Sequence, residues 1–277
     1  MDLASEIARS VAAALAEDVG DGDLTAPLTS AGNNARATVL CREETVVCGQ
    51  PWFEACFRSL DAAVEIRWAL AEGARAAAGA QVATLSGKAR ALLTGERVAL
   101  NFLQTLSAVA TATRRYVHAV AGTRARIVDT RKTLPGLRAA EKYAVRVGGG
   151  LNHRMGLYDA MLIKENHIAA AGGVRAALAA AKRAAPAGIW IQVEVENIGQ
   201  LKEALDAGAT MVLLDNMSVG DLREAVRIAA GRAELEASGG IALENVRAVA
   251  ETGVDRISIG SLTKDIRAAD FSMRFEA

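Results

Sequence analysis

The chain has 277 residues, balances 32 basic against 32 acidic side chains, and is 51% hydrophobic but only 4% aromatic. That length supports one large α/β domain, or one with a smaller companion. Zero net charge argues against long-range attraction to nucleic acid or anionic membranes, and so few aromatics leave little for base stacking. Neither is expected as a partner. Cys41, Cys48 and Cys56 are odd in number and form no C-x-x-C pair, so reduced thiols in a cytoplasmic protein are expected. Acidic residues from Glu6 to Asp23 speak against a signal peptide, and no long apolar run marks a membrane span.

Residues 3–17 read as an amphipathic helix with Leu3, Ile7, Val11 and Leu15 on one face. The acidic stretch Glu17–Asp23 that follows lacks the ligand spacing of a calcium loop and reads as a turn. Between Ala35 and Leu93 short apolar segments (35–40, 45–48, 64–70, 81–85) alternate with glycine and proline breaks, as in a small antiparallel β-rich unit. A long helix is predicted from Thr94 to about Ala121.

Beyond it, strands are predicted at 126–128, 160–163, 189–195, 211–214, 234–237 and 256–259. Helical stretches at 173–184, 199–207, 219–230 and 243–251 separate several of them. Polar or small residues stand at each strand end: Asp129, Lys164, Glu194, Asp215, Ser238 and Gly260. They are 21 to 35 residues apart, about one β–α unit each. Repeated units of this kind dictate a parallel sheet, and a barrel places its chemistry at such strand ends. An open doubly wound sheet is the competing architecture, although no G-x-G-x-x-G follows the first strand.

Between Arg126 and Arg154 lie seven Arg/Lys and two acidic residues. In a neutral protein, such a cluster beside Gly148–Gly150 suits a small, highly anionic ligand. Arg131 offers a planar fork for a carboxylate and Lys132 a compact charge for a phosphate oxygen. His153, between Asn152 and Arg154, reads as a ligand contact or proton handler. His167, three residues past Lys164, has a capping or packing role as an equal alternative, and His118 carries no motif. Glu194 and Glu196 alternate on one strand, so both carboxylates are expected to face the barrel mouth, as is Asp215. They would meet sugar hydroxyls or a Mg²⁺ shell, or else form a structural salt bridge. Ser238-Gly239-Gly240 and Gly260 follow the last two strands, where barrels commonly bind phosphate.

Taken together, Glu17–Thr25, Glu96–Ala110, Asp129–Gly136, Glu141–Val145, Gly148–His167, Glu194–Asn197, Leu214–Asn216, Ser238–Ile241 and Ile259–Ser261 resemble the quinolinate phosphoribosyltransferase family. The resemblance spans nearly the whole chain. It implies an N-terminal α/β sandwich (1–109), an incomplete TIM-like (β/α) barrel (110–262) and a tail (263–277) that packs with the sandwich. It implies transfer of phosphoribose from 5-phosphoribosyl 1-diphosphate to quinolinate, with loss of diphosphate and CO₂. By motif, Arg131, His153, Arg154 and Lys164 would bind quinolinate, with Thr130 in the same tripeptide and Arg97 reaching in from the partner of a homodimer. Lys132 would face the diphosphate. Glu194 and Asp215 would hold ribose hydroxyls and help place Mg²⁺, directly or through water, and Ser238, Gly239, Gly240 and Gly260 would take the 5-phosphate. Lys132, Lys164, Glu194 and Asp215 are the expected catalytic residues. Gln192 departs from the family pattern but is expected to touch none of these contacts. A nicotinate-using relative and a non-catalytic phosphate-metabolite sensor are the rival readings.

Overall fold

The structure, a computed structural model, describes residues 2–276. In chain order the first half contains α1 (Leu3–Val19), β1 (Asn34–Cys41), β2 (Thr45–Val46), α2 (Gln50–Leu60), β3 (Glu65–Trp68), β4 (Arg75–Ala76), β5 (Gln81–Lys88) and α3 (Ala89–Ala119). The second half follows as β6 (Arg126–Val128), α4 (Arg138–Val147), β7 (Met161–Ile163), α5 (Glu165–Ala171), α6 (Val174–Ala184), β8 (Ile191–Val195), α7 (Ile198–Asp206) and β9 (Met211–Asp215). It closes with α8 (Val219–Ala229), β10 (Glu234–Ser238), α9 (Val246–Ala250), β11 (Arg256–Ser258), α10 (Ser261–Lys264) and β12 (Phe271–Phe275).

These elements form two compact units. The first takes the chain up to Arg114, Thr133–Gly149 and everything from Leu262 onward. Its sheet has the order β12-β1-β5-β3 with antiparallel pairing throughout, and β2 pairs with β4 as a separate ribbon. Helices cover the sheet through a core that includes Trp52, Phe53, Phe57, Leu85 and Leu103, giving an α/β sandwich. The C-terminal strand β12 runs along β1, so the tail completes this sheet.

Two helices of the first unit differ from the sequence expectation. Gly49-Gln50-Pro51 suggests a break between strands, but it opens α2, because proline is tolerated in a helix's first turn. The buried side chains of α2, Trp52, Phe53, Cys56 and Phe57, follow helical spacing. Residues 138–147 carry no expectation of structure, yet they form α4 and belong to the first unit, although they fall inside the 110–262 span expected for the barrel. Arg138, Lys142 and Arg146 of the basic cluster therefore lie on this helix.

In α4, Glu141 is 0% exposed and accepts hydrogen bonds from the Leu134 N–H at 3.2 and 3.4 Å. Burial raises its carboxyl to about 7 from the ordinary 4.5, against the lowering effects of the Leu134 N–H and Arg138. An acid harder to ionise when folded costs nothing below its unfolded value. The cost then grows up to the folded value and stays constant above it. Glu141→Gln is therefore expected to gain stability over the native chain between about pH 5 and pH 8, on the order of 3 kcal/mol. Parallel thermal-melt curves across that range would contradict the assignment.

The second unit, Arg115–Lys132 with Gly150–Ser261, holds a six-stranded parallel sheet in the order β6-β11-β10-β9-β8-β7. Polar side chains interrupt its apolar strands at Gln192 and Glu194 of β8, Asp215 of β9, and Glu234 and Glu236 of β10. Among the described residues β6 and β7 do not pair, and only an isolated parallel bridge joins Val128 to Leu151, so the barrel is incomplete. This agrees with the expected architecture, with strand limits shifted by one or two residues.

Candidate active site

The C-terminal ends of the six parallel strands surround a cavity of about 590 Å³, within the size range of small-ligand sites. Thr130, Arg131 and Lys132 enter it from the end of β6, and Lys164 from the end of β7. Glu194 enters from β8, Asp215 from β9, and Ser238, Gly239 and Gly240 from β10. His153 and Arg154 line it from the loop before β7. Eleven sequence-predicted residues thus line one cavity; Gly260 is not among them but lies against Lys132, where an added Cβ would sit 3.1 Å from Lys132 Cδ. Arg97 lies on α3, exposed, and is not among the lining residues.

The basic end is organised by two acids, Asp129 and the partly buried Asp159. Asp129, fully buried, accepts from the His153 N–H at 2.8 Å and from Asn152 Nδ2 at 2.6 Å, which fixes the chain leading into Arg154. Asp159 accepts from the N–H groups of Met155 and Gly156 at 2.7 and 2.9 Å, which closes the turn behind Arg154. Arg154 is itself buried, and its Nη1 donates to the Ala160 carbonyl at 3.2 Å. Burial and the nearby charge of Arg131 lower the Arg154 guanidinium from its ordinary value, while Asp159 and Glu194 oppose the shift. Two guanidinium groups held this close gain most from a ligand with more than one negative charge.

Lys164 Nζ lies 3.2 Å from Glu194 Oε2, with Lys164 half exposed and Glu194 largely buried. The structural salt bridge weighed from the sequence is therefore present, at the cavity itself. Asp215 Oδ2 accepts from Asn216 Nδ2 at 2.7 Å. Glu196 differs from expectation: β8 ends at Val195, and Glu196 is exposed with its N–H donating to Gln200 Oε1 at 2.8 Å. The strand stops because Asn197 caps α7, its side chain accepting from the Gln200 N–H at 3.0 Å. The residue that shares the Glu194 face is Gln192, buried and within hydrogen-bond distance of His153, so it does touch the expected contacts. His167 has the capping role: its Nδ1 accepts from the Lys164 N–H at 3.0 Å.

Asn216, Glu236 and Ser258 also line the cavity and were not singled out from the sequence. Asn216 carried a signal, being next to Asp215 at a strand end. It adopts a left-handed backbone (φ 55), and its N–H donates to the Ser238 carbonyl at 2.9 Å. Gly239 packs against it with φ +93, and a Cβ there would fall 2.6 Å from Asn216 Cγ and 2.9 Å from its backbone nitrogen. Gly239→Ala is expected to cost on the order of 2 kcal/mol or more, because both backbone and neighbour resist it. Gly240→Ala, with φ +60 and open space, is expected to be milder. Equal denaturation midpoints for the two variants would refute this packing.

Fold and cavity together define an α/β-barrel protein whose strand ends gather cationic and acidic side chains around one cavity. The family models of the quinolinate phosphoribosyl transferase N-terminal and C-terminal domains match residues 23–107 and 109–274. The chain is 42% identical over 257 residues to a probable nicotinate-nucleotide pyrophosphorylase [carboxylating] of Bacillus subtilis, covering 93% of this chain and 89% of the relative. It is 43% identical over 270 residues to the nicotinate-nucleotide pyrophosphorylase [carboxylating] of Mycobacterium leprae, covering 94% of each. The solved nicotinate-nucleotide pyrophosphorylase of Francisella tularensis superposes with a TM-score of 0.96 at 42% identity, covering 100% of this chain and 98% of that one. The chain belongs to the quinolinate phosphoribosyltransferase family.

Proposed function

We propose that this chain transfers phosphoribose from 5-phosphoribosyl 1-diphosphate to quinolinate and decarboxylates the adduct, giving nicotinate mononucleotide, diphosphate and CO₂. Family membership supports the reaction. The observation that carries the residue assignment is the meeting of Arg131, Arg154 and Lys164 with Glu194 and Asp215 in one cavity. Arg131 and Arg154 hold the two carboxylates of quinolinate, with Lys164 beside them. A new bond forms between the pyridine nitrogen and ribose C1 as the bond from C1 to the diphosphate oxygen breaks. Positive charge grows on the sugar, where Glu194 and Asp215 stand, and negative charge grows on the leaving group, which Lys132 faces. Ser238, Gly239, Gly240 and Gly260 take the 5-phosphate, and Thr130 supports Lys132 by accepting its N–H at 3.0 Å. Loss of CO₂ leaves an electron pair at the adjacent ring carbon, which the quaternised nitrogen and nearby cations stabilise until a proton arrives. No covalent nucleophile takes part.

The donor set suits Mg²⁺. Among the described residues no group of three or more His, Cys, Asp or Glu gathers to hold a metal alone, whereas Glu194 and Asp215 share the cavity. Mg²⁺ typically keeps several waters and binds through one or two carboxylates plus substrate phosphates. Bound there, it would neutralise charge on the diphosphate.

Arg97, exposed on α3, reaches the quinolinate end of a partner's cavity in a homodimer. Three buried free cysteines fit a cytoplasmic setting, and among the described residues no helix is long and apolar enough to cross a membrane. Incubation with quinolinate, phosphoribosyl diphosphate and Mg²⁺ is expected to release CO₂ and form nicotinate mononucleotide, with nicotinate a poor substitute. Equal turnover of nicotinate, or binding without turnover, would favour one of the rival readings.

A further inference from the structure

Four polar side chains inside the barrel form a chain behind the cavity. The His153 Nδ1 accepts from the Arg154 N–H at 2.8 Å. A backbone N–H only donates, so this nitrogen carries no proton, and the proton of the neutral ring sits on Nε2. Nε2 lies 2.9 Å from Gln192 Oε1, and Gln192 Nε2 donates to Glu236 Oε2 at 3.2 Å. Arg256 Nε stands 3.1 Å from the same Glu236 oxygen. Trp190 meets the imidazole edge-on at 5.1 Å. Gln192 and Glu236 are 0% and 1% exposed, so leaving either without partners would be costly. The two Gln192 contacts fix the orientation of its amide, whereas Arg256 Nε and Glu236 Oε1 are buried without a hydrogen bond, the latter 3.8 Å from His153 Nε2.

We propose that Gln192 and Glu236 are positioning residues that lock His153 as the neutral Nε2–H tautomer. His153 then shapes the pyridine end of the site and holds the Arg154 backbone, and the cationic contacts to the two carboxylates come from Arg131, Arg154 and Lys164. The Glu236 carboxylate, with Oε1 3.8 Å from His153 Nε2, favours a charged ring, but a proton on Nδ1 would be set against the Arg154 N–H, and that contact holds the ring in the neutral form. The substrate end of this inference rests on the proposed function; the tautomer does not.

Nitrogen-15 spectra of histidine-labelled full-length protein at neutral pH test the lock directly, with His153 assigned by difference from His153→Gln. The Nε2–H neutral pattern is expected, with and without quinolinate. An imidazolium or Nδ1–H pattern in either state overturns the proposal. Gln192→Leu is expected to lose the fixed tautomer and raise KM for quinolinate about tenfold, with kcat and KM for phosphoribosyl diphosphate nearly unchanged. An unchanged quinolinate KM in folded Gln192→Leu also overturns it, and if that variant does not fold, the native spectra alone decide. Absence of turnover by the native chain refutes the functional reading and with it the positioning role, whereas turnover with the wrong tautomer refutes only the lock.

Discussion

Arg131→Ala is expected to weaken quinolinate binding by roughly ten- to a hundredfold while changing nicotinate binding much less, because a charge-assisted hydrogen bond contributes about 1.5–3 kcal/mol. Burial and the neighbouring Arg131 lower the Arg154 guanidinium from its ordinary value. A diacid relieves both desolvation and mutual repulsion, whereas a monoacid satisfies one cation and leaves the other uncompensated. Removing Arg131 takes away the second contact and relieves the repulsion on Arg154, so a monoacid loses little. Calorimetric titration of both acids checks this, and equal losses would remove Arg131 from the dicarboxylate site.

Asp215→Asn is expected to lower kcat by about 10²–10³-fold with quinolinate affinity unchanged, in line with losses seen when one preorganised electrostatic group is removed. Asp215 ends β9 at the cavity, while its Oδ2 is oriented by Asn216 Nδ2 at 2.7 Å. The amide keeps the shape and removes the charge that answers the developing positive sugar. Glu196→Gln is the matching control: Glu196 is exposed beyond the end of β8, and its loss is expected to leave kcat unchanged. Comparable losses in both variants would mean that general charge, and not the position of Asp215, governs the rate.

The barrel strands and their polar ends were legible because apolar runs recur at β–α spacing with one polar residue closing each. Helices α2 and α4 were not. In α2 the proline that opens the helix looks the same in sequence as one that breaks a strand. In α4 the pattern Arg138, Lys142, Arg146 resembled part of the ligand-binding cluster, yet buried Ala140, Ala144 and Val145 bind it to the sandwich core. Most cavity residues at strand ends were found, with Asn216 and Ser258 the exceptions, and Glu236 deeper in the barrel was missed. Glu236 and Gln192 sit inside strands, where sequence alone does not show which polar side chains meet across neighbouring strands. The Glu196 expectation failed for a local reason, since strict alternation holds only while the strand continues and Asn197 ends it.

The proposed function puts the cations for a pyridine diacid beside the acids for an activated sugar in one cavity. A crystal structure with quinolinate and a non-reactive phosphoribosyl diphosphate analogue tests it most directly. The carboxylates are expected within hydrogen-bond distance of Arg131 and Arg154, and the ribose hydroxyls beside Glu194 and Asp215. Quinolinate bound elsewhere, or turned with its carboxylates away from both arginines, would contradict the account.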